Sequence, residues 1–145
     1  MTVVNTEIDM KYMILVKATK DSEAGKMPAE NLFAEMAAYH EELSKAGVLV
    51  DGSGLRASDK GWRIRYDGNK RTVIDGPFAE TKELVAGYTI IDVKSRDEAL
   101  EWTKKFPNPS IDGGEAEIEV RKYFELEDFP QTPTLERFRN IGIGE

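Results

Sequence analysis

Apolar positions recur along the chain with two periods, and the switches between them mark the elements. Lys11 to Lys17 reads as a strand whose two faces, Tyr12/Ile14/Val16 and Met13/Leu15, are both apolar. A strand apolar on both sides is expected to be covered on both sides. Thr19 to Lys26 is polar, contains Gly25 and reads as a loop. From Pro28 the period lengthens. Leu32, Phe33, Met36, Ala37, His40 and Leu43 recur at spacings of three and four, which predicts one inner stripe on a helix from Pro28 to Ala46. Pro28 suits its first turn, Lys45 its last, and Gly47 its stop. Val48 to Val50 returns to extended structure, and Asp51-Gly52-Ser53-Gly54 is expected to break it.

Trp62, Ile64 and Tyr66 alternate with Arg63 and Arg65, so Trp62 to Tyr66 reads as a half-buried strand. Asp67-Gly68 predicts a hairpin turn, Arg71 to Ile74 the return strand, and Asp75-Gly76-Pro77-Phe78 its end. Ala79 to Leu84 is a polar connection. Val85 to Val93 is a second strand apolar on both faces. Ser95 with Glu98 has the pattern of a capping box. Ala99, Trp102, Thr103 and Phe106 then form the inner stripe of a second helix, which Pro107 and Pro109 end. Ile118 and Val120 alternate with Glu117, Glu119 and Arg121, as in a strand with one wet face.

The order β–α–β–hairpin–β–α–β predicts an α+β fold with two amphipathic helices on one face of an antiparallel sheet. The second apolar face of the central strands predicts a homodimer, because so large an exposed apolar surface is rare on a monomer. Residues 1–10 read as a polar leader, residues 11–129 as one domain, and residues 130–145 as a tail. That tail, with two prolines and a marginal helical stretch near Leu135–Arg139, is expected to be loosely held or to reach across to a partner.

Composition narrows the function classes. A chain of 145 residues is the size of one domain. It has no cysteine, hence no disulfide and no thiolate nucleophile, which fits a reducing compartment. The net charge of −7, with no basic cluster, argues against direct contact with nucleic acid. No apolar run is long enough to span a bilayer, and the first residues lack the apolar core of a secretory signal. A cytoplasmic location, away from membranes, is the expectation.

Gly47-Val48-Leu49, Gly54-Leu55 and above all Asp75-Gly76-Pro77-Phe78-Ala79-Glu80-Thr81-Lys82-Glu83 resemble the DGPF branch of the YCII-like proteins. Gly87-Tyr88, Val93 to Ala99 and Glu117 to Arg121 extend the resemblance over about Lys11 to Phe129. The resemblance implies a ferredoxin-like fold that pairs into a dimeric α/β barrel. The wider group includes a dechlorinating enzyme, and a His–Asp pair is a proposed feature of it. DGPF proteins are often encoded beside alternative sigma factors. Two functions follow from the resemblance and the residues together. One is a cofactor-free enzyme doing proton-transfer chemistry (isomerisation, elimination or lyase action) on a small organic molecule. The other is a non-catalytic accessory protein associated with a sigma factor.

Few residues are candidates for chemistry. His40 is the only histidine. It sits on the inner stripe, either as a general acid/base or as a packed imidazole satisfied by one hydrogen bond. Asp75 either orients His40 or shapes its own turn. Asp51 is a rival partner for the imidazole. Arg63, with Arg65, either binds an anionic substrate or forms the wet face of the hairpin. Tyr88 either hydrogen-bonds a ligand or packs in the core. One histidine without cysteine leaves no zinc site. The glycine pattern fits neither a P-loop nor a dinucleotide fingerprint, and no cofactor is expected.

Overall fold

The structure is a computed structural model that describes residues 9–144. The proposed leader therefore lies outside the described residues except for Asp9 and Met10, and Met10 already belongs to the first strand. That strand, β1 (Met10–Lys17), is central: it pairs antiparallel with β5 (Val85–Val93) on one side and with β6 (Ile118–Lys122) on the other. β2 (Leu49–Gly54) adds to the far edge of β5, so the sheet runs β2-β5-β1-β6. Between β2 and β5, β3 (Trp62–Asp67) and β4 (Lys70–Asp75) form a hairpin that pairs only with itself. The sheet of one chain is open and does not close into a barrel.

One face of the sheet builds the core. Tyr12, Ile14, Ile91 and Val93 point toward α2 (Glu30–Lys45) and α3 (Arg96–Lys104), where they meet Tyr39, Leu43, Val48 and Ala99. Ile14, Leu43 and Ile91 are fully buried. Strand alternation puts Met13, Leu15, Tyr88 and Ile90 on the opposite face, where they are half-buried.

The helix starts follow local chemistry. The Ser95 hydroxyl caps α3 by accepting from Glu98 N–H at 3.1 Å. Glu98 accepts from Lys94 N–H at 2.9 Å, so the carboxylate reaches one residue further back than a capping box requires. Thr19 to Lys26 contains a short helical turn, α1 (Lys20–Glu23), because Thr19 and Ser22 cap each other. Among the described residues no helix is long and apolar enough to cross a membrane.

Four expectations change. Asp51 to Gly54 does not break β2; pairing with β5 carries the strand through it, with a bulge between Leu49 and Asp51. The glycines there permit close approach: a Cβ on Gly87 would lie 3.0 Å from the Ser53 carbonyl oxygen. The hairpin face Trp62/Ile64/Tyr66 is exposed rather than half-buried, Trp62 at 65%, because no layer of this chain packs beneath it. On α2 the buried residues are Leu32, Tyr39 and Leu43, while Phe33 is 64% exposed. The tail forms α4 (Pro133–Asn140), with Leu135 and the preceding Leu126 buried and Gly144 against the Leu126 side chain.

Candidate functional site

A cleft of about 1000 Å³ opens between α2 and the β2–β5 end of the sheet. Its existence follows from the register. The helix-facing positions there pair Gly52 with Thr89 and Gly54 with Gly87, so three of the four carry no side chain. A Cβ on Gly54 would meet nothing within 4 Å. Leu32, Met36 and His40 of α2 form one wall, and Phe106 with Ile111 closes an end. The interior is mostly apolar with a few polar groups, the usual character of a small-molecule pocket.

His40 is the polar centre of that wall. Its Nδ1 lies 2.7 Å from the carbonyl oxygen of Met36, one turn back on α2. A carbonyl only accepts, so the proton sits on Nδ1. Nε2 lies 2.8 Å from Oγ1 of Thr89, whose side chain is buried. In the neutral ring, therefore, the Thr89 hydroxyl donates to Nε2. Tyr39 and Phe106 pack edge-on around the imidazole, with ring centroids 5.6 and 6.3 Å from it. Tyr39 is itself fixed, its hydroxyl donating to the Trp102 carbonyl at 2.7 Å. Burial, helped by the nearby Glu42 charge, pushes the Tyr39 phenol up to about 12.

The other candidates lie elsewhere. Asp75 ends β4 opposite Trp62. Among the described residues its carboxylate accepts no hydrogen bond. Asp51 accepts from the Tyr88 hydroxyl at 3.2 Å, on the sheet face away from His40. That hydrogen bond, and then the Asp51 charge, raise the Tyr88 phenol above its ordinary range. Arg63 places its guanidinium 3.8 Å from the centre of the Phe78 ring, a cation–π contact within the hairpin base. So the structure joins Asp51 to Tyr88, and engages both nitrogens of His40 with groups other than carboxylates.

The Asp-Gly-Pro-Phe bend has a mechanical part to play. Gly76 donates its N–H to the Gly61 carbonyl at 3.0 Å. A Cβ on Gly76 would fall 1.8 Å from the Ser58 carbonyl oxygen, so only glycine fits. Phe78 N–H donates to Ser58 Oγ at 3.0 Å. Ser58 in turn donates its N–H and its hydroxyl to the two oxygens of Glu23, at 2.9 and 2.5 Å. The bend and α1 together clamp the turn Ser58–Lys60, which carries part of the cleft's rim.

Sequence reading did not find Thr89, the glycine floor or the Glu23–Ser58 clamp. Thr89 sat among apolar neighbours on a strand, and only cross-strand register reveals that it faces His40.

An open antiparallel sheet in the order β2-β5-β1-β6, with two helices on one face, is a ferredoxin-like α+β fold; here a glycine-floored cleft lies beneath one of the helices. The chain belongs to the YCII-related domain family, whose model matches residues 10–125. It is similar to an uncharacterised protein of Rhizobium meliloti (strain 1021), 29% identical over 101 residues, which are 70% of this chain and 82% of that protein.

Proposed function

We propose that the protein is an enzyme that moves a proton on a small, largely apolar organic molecule held in the cleft, with His40 Nε2 as the proton-carrying atom. The observation that carries this reading is the pairing of His40 with Met36 and Thr89. The Met36 carbonyl fixes the tautomer and ring orientation, a task that a carboxylate performs in hydrolase triads. It does so without placing a full negative charge beside the ring. A hydroxyl both donates and accepts. Thr89 can therefore bond the neutral ring by donating and the imidazolium by accepting, so neither state is left unsatisfied. Isomerisation, elimination and lyase chemistry all need such a group. Neither Asp75 nor Asp51 takes part in this reading. Homodimerisation through the sheet face opposite the helices accompanies it. The accessory reading, with a sigma factor as partner, rests on the acidic net charge and the exposed hairpin face.

A panel of enolisable ketones, lactones and hydroxy acids in deuterated water tests the proposal. Wild-type protein is expected to exchange a carbon-bound hydrogen on at least one of them. Thr89→Val should slow that exchange, and His40→Gln should abolish it. Absence of exchange across the panel, or equal exchange by His40→Gln, would overturn it.

A further inference from the structure

The cleft has a charged rim above its apolar interior, although the chain as a whole is acidic. Lys26, Arg56 and Lys60 stand there with Asp59. Lys26 is paired with Asp21 at 3.1 Å. Among the described residues, the side chains of Arg56 and Lys60 make no ion pair or hydrogen bond. Glu23, distant in sequence but close in space to the rim turn, spends both its oxygens on Ser58 and ion-pairs with neither cation. Arg56 and Lys60 also flank Ser58, which Glu23, Gly76 and Phe78 hold from three sides. They are thus displayed from a fixed turn rather than a floppy loop, which lowers the ordering cost of binding.

Resting on the reading of the cleft above, we propose that its ligand is an amphiphilic carboxylate. The apolar body lies along the α2 wall and the glycine floor, toward His40, and the carboxylate meets Arg56 and Lys60 at the rim. Arginine's planar fork matches a carboxylate in two parallel hydrogen bonds, and lysine adds a point charge. Low-dielectric walls strengthen that attraction. Arg63 does not serve this purpose, since its guanidinium covers the Phe78 ring.

Dansylaminoundecanoate and its methyl ester share one apolar body and differ in the charged head. The acid should bind wild-type protein about tenfold more tightly than the ester, the scale of one charge-assisted hydrogen bond. In Arg56→Gln/Lys60→Gln that preference should vanish while the ester binds as before. Lys70→Gln, at the hairpin tip, should keep it. Both ligands should move the NMR signals of the His40 ring. Equal binding of acid and ester by wild-type protein, or a preference that survives the double substitution, would overturn the assignment of an anionic head. Failure of both ligands to bind, or to move His40, would instead remove the cleft reading and this inference with it.

Discussion

Replacing Tyr39 by Phe probes the packing that holds His40 in place, and its effect should reverse sign with pH. The substitution removes one hydroxyl and opens almost no cavity. The Trp102 carbonyl that loses the 2.7 Å hydrogen bond still accepts from Lys105 N–H at 3.1 Å. The cost near neutral pH should therefore lie at the low end for a buried hydrogen bond, about 1 kcal/mol. The phenol of Tyr39, 5% exposed, has its pKa raised from 10.0 to about 12. A raised pKa favours the protonated form in the folded state. The associated stability is complete below the unfolded value and is lost as pH rises through the folded one. Two pKa units correspond to about 2.7 kcal/mol. Wild-type protein should accordingly be about 1 kcal/mol more stable than Tyr39→Phe below roughly pH 10, and about 1 kcal/mol less stable near pH 12. Urea denaturation of both proteins across that window measures the difference, and titrations common to both cancel. A gap that stays constant from neutral to strongly alkaline pH would show that the phenol is not desolvated, and that the aromatic wall around His40 is looser than described.

Other expectations follow from particular contacts. Gly76→Ala drives a methyl group to 1.8 Å from the Ser58 carbonyl oxygen, so the backbone must shift; a loss of about 1–3 kcal/mol in chemical denaturation is expected, and an unchanged midpoint would contradict the clamp. Asp75→Asn and Asp51→Asn should each leave the His40 ring signals in place, because Met36 and Thr89 hold both nitrogens; a shift in either variant would restore a His–Asp pair. In Asp51→Asn the Tyr88 phenol should ionise at lower pH, as read by ultraviolet difference spectra, since Asp51 is what raises it. Sedimentation at micromolar concentration should show a dimer that Met13→Glu, on the sheet face away from the helices, dissociates. A well-folded monomeric wild-type protein would refute that contact.

The two central strands were the most legible part of the fold. Tyr12 to Val16 and Val85 to Val93 are apolar on both faces, short, and rich in β-branched and aromatic residues, which favours buried strands over helix. The hairpin itself was equally plain, although its turn residues are Gly68 and Asn69, one position beyond the expected Asp67-Gly68, with Asp67 still paired to Lys70; its burial was not. Alternation of Trp62, Ile64 and Tyr66 says which side chains share a face, not whether a layer lies beneath it. The start of β2 was read at Val48 to Val50, but its continuation was hidden because Asp51-Gly52-Ser53-Gly54 is made of turn-forming residues, and only pairing with β5 overrides them. On α2, the stripe read from spacing included Phe33 and passed over Tyr39; the structure reverses the two, burying Tyr39 with its hydroxyl on the Trp102 carbonyl and leaving Phe33 exposed. The position of His40 on the cleft wall was readable from the same spacing. Its partners were not, since a backbone carbonyl leaves no trace in sequence and Thr89 is distant along the chain. The Asp-Gly-Pro-Phe motif drew attention to its carboxylate, whereas the closest packing in the bend belongs to Gly76.

The proposed chemistry requires His40 to present a ring of fixed tautomer to the cleft through Nε2. Nitrogen-15 NMR of this single imidazole reads that state directly, free of overlap with any other histidine. In the neutral ring the proton should sit on Nδ1, facing the Met36 carbonyl, and Nε2 should be unprotonated. Dansylaminoundecanoate should move the Nε2 resonance more than the Nδ1 resonance, and Thr89→Val should shift Nε2 in the absence of ligand. A ring protonated on Nε2, or an Nε2 resonance indifferent to both Thr89→Val and the ligand, would contradict it.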